Sequence, residues 1–158
     1  MDRTKIPFTL KIVTADNSPI IVERLQSVFM ELENVTFLGN GSHSSDLLKL
    51  LRKLEPNIVI IDICLENTPT DLLFKQQEFD AGNQGIYYND GDPASGCFNL
   101  IRIIRKKYPK IKIIILTNYI ELQYRINSIA SGANYFFDKS RDFEKIPELL
   151  KNLTTKKQ

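Results

Sequence analysis

Two runs of the sequence, NIVIID (57–62) and IKIIILT (111–117), are near-continuous apolar runs dominated by isoleucine and valine. A strand with one wet face alternates apolar and polar residues, whereas a strand covered on both faces need not. Such strands call for helices on either side of a parallel sheet. Three further β-branched or aromatic runs share the pattern, FTLKIVT (8–14), NVTFLG (34–39) and ANYFFD (133–138). Between the runs lie segments of helical period. From Ser18 to Leu32 the apolar residues recur at i, i+3, i+4 and i+7, with Ser18 as a candidate N-cap and Pro19 at the first helical position. Ser44 to Leu54 repeats the pattern and stops at Pro56. Phe98 to Tyr108, Glu121 to Ser131 before Gly132, and Asp142 to Leu153 complete the series. Five strands alternating with five helices predict an α/β domain with a doubly wound parallel sheet.

A chain of 158 residues is expected to form one domain, 1–158, with a full core. The net charge of +2 gives no argument for direct nucleic-acid binding. No apolar run approaches the ~18 residues of a membrane span, and the first residues lack the pattern of a secretion signal. Two cysteines, Cys64 and Cys97, are weak grounds for a disulfide, so a reduced cytoplasmic protein is expected. One histidine, His43, excludes a site built from several imidazoles of this chain. The tail KNLTTKKQ is polar and basic and is expected to fray.

In open parallel sheets, sites form beyond the carboxyl ends of the strands. Asp16 and Asn17 follow the first run, Asp62 the third, Thr117 and Asn118 the fourth, and Lys139 the fifth. With strand order 2-1-3-4-5, these ends share one crevice. Carboxylates there can hold Mg²⁺ or accept a phosphoryl group, while a hydroxyl and an ammonium neutralise the transferred charge. Each residue alone has a plainer role: an Asp after a strand is most often a turn or cap, and Lys139 alone is a solvated charge. Their joint placement is what points to phosphoryl chemistry.

The segments VTADNSPIIVERLQSVF, PNIVIIDICL, IIILTNY and SGANYFFDKS, in that order, resemble the receiver domain of response regulators in two-component signalling. The resemblance covers roughly residues 8–65 and 94–153. It implies a flavodoxin-like fold and a phosphorylation switch. In that reading a histidine kinase or histidine phosphotransfer protein phosphorylates Asp62. Mg²⁺ is held by Asp16, Asn17, Asp62 and the Cys64 carbonyl. Thr117 and Lys139 contact the phosphoryl group, and Phe136 stands at the aromatic switch position that turns inward with Thr117 on activation. Output passes to a downstream protein, through the face of the fourth helix, fifth strand and fifth helix; a homodimer is left open.

The sequence also departs from the family. Asn17 replaces a second acid, and one charge at such range is worth about 1–4 kcal/mol, so weak Mg²⁺ binding is expected. Asn118 is larger than the usual residue and could narrow access to Asp62, and Glu66 replaces a common proline. Residues from about 66 to 95 form an acidic insertion with six acids, Glu66, Asp71, Glu78, Asp80, Asp90 and Asp92, against Lys75. Within it, 71–79 could form a short helix and 85–89 a strand or turn. Three readings of the insertion stay open: a tolerated surface excursion, a lid or partner surface, or the source of a replacement metal ligand. Three functions compete. The first is a receiver without its own output domain, since the chain ends just after the fifth helix, unless it is cut from a longer protein. The second is a degenerate receiver acting as a phosphorylation-independent interaction module. The third, a phosphohydrolase, would want an acid two residues after the nucleophile, where Cys64 stands, so a dedicated enzyme is not expected.

Overall fold

The computed structural model describes residues 8–65 and 94–155. Strands β1 (Leu10–Ala15), β2 (Val35–Gly41), β3 (Ile58–Ile61), β4 (Lys112–Thr117) and β5 (Tyr135–Asp138) form one sheet in the order β2-β1-β3-β4-β5. All pairings are parallel. Helices α1 (Pro19–Met30), α2 (Ser44–Leu54), α3 (Ser95–Lys107), α4 (Leu122–Ser131) and α5 (Lys145–Thr155) are the described helices. The expected doubly wound, flavodoxin-like α/β architecture is therefore present.

The period of two in the strands sorts their side chains onto two faces. Ile12, Ile58, Ile60, Ile114 and Leu116 pack with Leu25 and Phe29 of α1 and with Ile146 and Leu150 of α5. Val13, Val59, Ile61, Ile113 and Ile115 pack on the other face with Leu47 and Leu51 of α2 and with Ile101 and Ile104 of α3. All four residues of β3 are buried, which is why that run shows no polar alternation. Burying one such isoleucine stabilises by about 1.5–3 kcal/mol, so the paired faces drive the fold.

Several boundaries differ from the sequence reading for local reasons. Helix α3 begins at Ser95 rather than Phe98, because Gly96 and Cys97 are buried and extend the apolar stripe by one turn. Helix α1 stops at Met30, two residues early, and Asn34 turns the chain into β2 with φ 61°. Helix α5 starts at Lys145, not Asp142. Asp142 instead accepts the Asp138 amide N–H at 3.0 Å and pairs with Lys145 Nζ at 2.7 Å. Lys151–Thr155, expected to fray, are helical. Ser18 is the N-cap of α1, but its side chain makes no capping hydrogen bond; the Asp16 carboxylate takes the Ser18 N–H instead. Cys64 and Cys97 are not joined in a disulfide. The suggested helix at 71–79 and strand or turn at 85–89 lie outside the described residues, as does the rest of the insertion up to residue 93. Among the described residues, no helix is long and apolar enough to cross a membrane.

Candidate functional site

Register brings the polar strand ends together. Ala15 pairs with Ile61, and Ile61 with Ile115, so Asp16 and Asp62 leave the sheet side by side. The Asp62 N–H donates to the Ala15 carbonyl at 2.9 Å, which extends the ladder to the site itself. Strand β4 runs on to Thr117, which pairs with Asp138, and the Lys139 N–H donates to the Thr117 carbonyl at 2.9 Å. Lys139 thereby enters the crevice from the opposite side.

Its Nζ lies 2.7 Å from Asp16 Oδ2 and 2.7 Å from Asp62 Oδ2. The three residues are at most 7% exposed. Burial of this kind is costly for a charge unless it is paired and hydrogen-bonded. Each carboxylate meets the second requirement with its other oxygen: Asp16 Oδ1 accepts the Ser18 N–H at 2.8 Å, and Asp62 Oδ1 accepts the Cys64 N–H at 3.2 Å. Burial pulls the Lys139 pKa down, but the hydrogen bonds to Asp16 and Asp62 and their charges outweigh it, and the net shift is upward. Two carboxylates answered by one ammonium leave the cluster with one surplus negative charge.

The remaining expected residues fall around this centre. Thr117 is fully buried, and its Oγ1 accepts the Tyr119 N–H at 3.2 Å. Phe136 is also buried, with the Arg125 guanidinium 4.9 Å from its ring centroid. Cys64 is half-buried, in the turn after Asp62. Asn17 and Asn118 are exposed and stand outside the ion-paired cluster. Among the described residues, no group of three or more His, Cys, Asp or Glu side chains converges as a metal site.

Tyr119 escaped the sequence reading. It sits where the loop after β4 meets the loop after β3, and the neighbouring Cys64 side chain first, then burial and the Tyr124 and Asp62 charges, push its hydroxyl above its usual range. Its ring meets Tyr124 edge-on at 6.0 Å, and Tyr124 meets Phe98 at 6.4 Å. The one signal in the sequence was an aromatic residue two places after Thr117. Cys97 lies on the same side of the sheet, and burial, followed by the Asp62 charge, pushes its thiol well up, which makes it inert.

Receiver domains of response regulators share this architecture. The isolated receiver domain of RcsB from Salmonella enterica serovar Typhimurium, solved in the presence of phosphomimetic BeF3-, superposes with a TM-score of 0.68. The sequences are 21% identical, and the match covers 95% of this chain and 91% of that one. The signal receiver domain of the putative response regulator NarL from Mycobacterium tuberculosis gives a TM-score of 0.68 at 13% identity, covering 96% and 100%. A LuxR-family two-component response regulator from Aurantimonas sp. SI85-9A1 gives 0.67 at 18% identity, covering 92% and 85%. In sequence, the transcriptional regulatory protein RcsB of Salmonella typhi is 25% identical over 108 residues, which span 68% of this chain and 39% of that protein. No family model matches the chain. The chain has the receiver fold.

Proposed function

We propose that the chain is a two-component signalling receiver that accepts a phosphoryl group on Asp62. One observation carries the reading: the buried Lys139 ammonium held at 2.7 Å by both Asp16 and Asp62. An ammonium so placed can follow charge as it moves from the carboxylate to a phosphoryl oxygen. In the transfer, an Asp62 oxygen bonds to phosphorus while the bond from phosphorus to a donor imidazole nitrogen breaks. The imidazole leaves and takes up a proton from solvent. Thr117, freed from the Tyr119 amide, would donate its hydroxyl to the phosphoryl group.

The donor set fits Mg²⁺. The cluster holds a surplus negative charge and offers hard oxygens from Asp16 and Asp62. The Cys64 carbonyl and the exposed Asn17 amide would complete a shell that keeps several waters. Bound there, the ion would neutralise charge on the phosphoryl oxygens, weakly held because Asn17 brings no charge. The donor would be a histidine kinase or a histidine phosphotransfer protein. Output would pass to a partner protein, or a second copy, through α4, β5 and α5. Such a switch acts in the cytoplasm, without contacting nucleic acid directly, and is not a dedicated enzyme.

A second reading has an observation of its own. Asn17 stands exposed and uncharged beside Asp16, where a second acid would strengthen metal binding, which favours a module that does not use phosphate. Incubation with Mg²⁺ and a small phosphodonor separates the two by intact mass. One phosphoryl adduct on the wild type and none on Asp62→Asn supports the switch. No adduct on the wild type favours the second reading, and an adduct on Asp62→Asn means a different acceptor.

A further inference from the structure

Asp16 leaves β1 as a backbone that could turn its carboxylate in several directions, yet every polar atom it carries is engaged. Two engagements come from one side chain outside the crevice. Asn40, near the end of β2, accepts the Asp16 N–H on Oδ1 at 3.2 Å and donates from Nδ2 to the Asp16 carbonyl at 3.0 Å. The same Oδ1 accepts the hydroxyl of Thr14 at 2.8 Å. Thr14 is fully buried among the apolar residues Ile12, Val13 and Ala15 of its strand.

An irregularity in the sheet creates this arrangement. Ile12 pairs with Phe37, but Val13 pairs with Gly39, so β2 carries one extra residue, Leu38. Such a bulge re-aims the side chains beyond it. Thr14 then faces Asn40. In unbroken register it would face Gly39, which has no side chain to offer. The bulge, the buried hydroxyl and the two-point grip on the backbone of one residue are three separate features with one result.

We infer that Asn40 is a positioning residue for the site: gripping the backbone of Asp16 on both its N–H and its C=O, it fixes the Asp16 carboxylate against Lys139 and toward the metal position. The metal part of this inference rests on the proposed phosphoryl-accepting function; the Lys139 part does not. Thr14 adds a third hydrogen bond to Asn40, on the Oδ1 that already accepts the Asp16 N–H, and holds neither end of Asp16 itself. Removing the Thr14 hydroxyl should therefore weaken the fold alone, while removing Asn40 should also misplace Asp16.

The test compares Asn40→Ala with Thr14→Val, and both should lower the urea midpoint. In labelling with a small phosphodonor, Asn40→Ala should raise the half-saturating Mg²⁺ concentration about tenfold, as loss of an outer-shell partner does, with Thr14→Val within about twofold of wild type. Equal shifts in the two variants would mean a purely structural role and overturn the inference. The second readout needs neither metal nor phosphate. In a Lys139→Met background the loss of urea midpoint caused by Asn40→Ala should shrink by about half, and that caused by Thr14→Val should not change. An unchanged Asn40→Ala loss in that background also overturns the inference. Should Asn40→Ala fail to fold, Asn40→Ser is measured in its place. Absence of any phosphoryl label on the wild type would sink the proposed function, and the urea cycle would still decide the role of Asn40.

Discussion

Helices α2 and α4 lie on the same face of the sheet and are nearly equal in length, but they are built in opposite senses. In α2, Leu47 and Leu51 are fully buried and Lys49, Arg52 and Lys53 face water. In α4 the inward positions are Tyr124, Ser128 and Ser131, at i, i+4 and i+7. The outward positions carry Leu122 at 70% exposure, Ile126 at 49% and Ile129 at 46%. Among the described residues, the hydroxyls of Ser128 and Ser131 are buried without a hydrogen-bond partner. Hydrophobic burial therefore holds α2 to the sheet and contributes little to holding α4. A helix arranged like α4 is weakly committed to its seat.

The contrast can be tested by mutation. Leu51→Ala should destabilise the protein by about 2–5 kcal/mol in urea unfolding, because the site is sealed and cannot collapse fully. A loss well below that range would mean that α2 is no better anchored than α4. Ser128→Ala should act in the opposite direction and raise stability by about 1 kcal/mol, since it removes an unpaired buried hydroxyl and adds helix propensity. Destabilisation by that change would reveal a partner for the hydroxyl and undo the comparison. Ile126→Gln should change the unfolding free energy by less than about 0.5 kcal/mol, as exposed substitutions do. A larger cost would show that Ile126 is covered in solution.

Much of the fold was legible because its central strands are near-continuous apolar runs and its helices carry period and stop signals. Gly132 shows the limit of local signals. It ends α4 with φ 121°, as its sequence suggests, but a Cβ there would also lie 3.0 Å from the Arg105 side chain. Arg105 reaches across to the Gly132 carbonyl and to Asn134 Oδ1, a contact 27 or more residues away along the chain. Boundary errors at α3 and α5 had the same origin. Cys97 acts as an apolar residue only once it is packed, and Asp142 serves a turn whose partner, Asp138, belongs to the preceding strand.

The site divides in the same way. Asp16, Asp62, Thr117 and Lys139 could be picked out because each follows an apolar run, and a parallel sheet must deliver such positions to one edge. Composition and period were enough for that, since burial of strand residues on two faces is a property of the sequence pattern. Three things required the folded molecule. The pairing of Lys139 with both carboxylates depends on loop conformations that no local pattern encodes. The grip of Asn40 on Asp16 depends on a bulge that appears only when β2 is laid against β1. The reversed burial of α4 runs against its own amphipathic pattern, because which face of a helix turns inward is decided by the surface it meets and not by the helix alone.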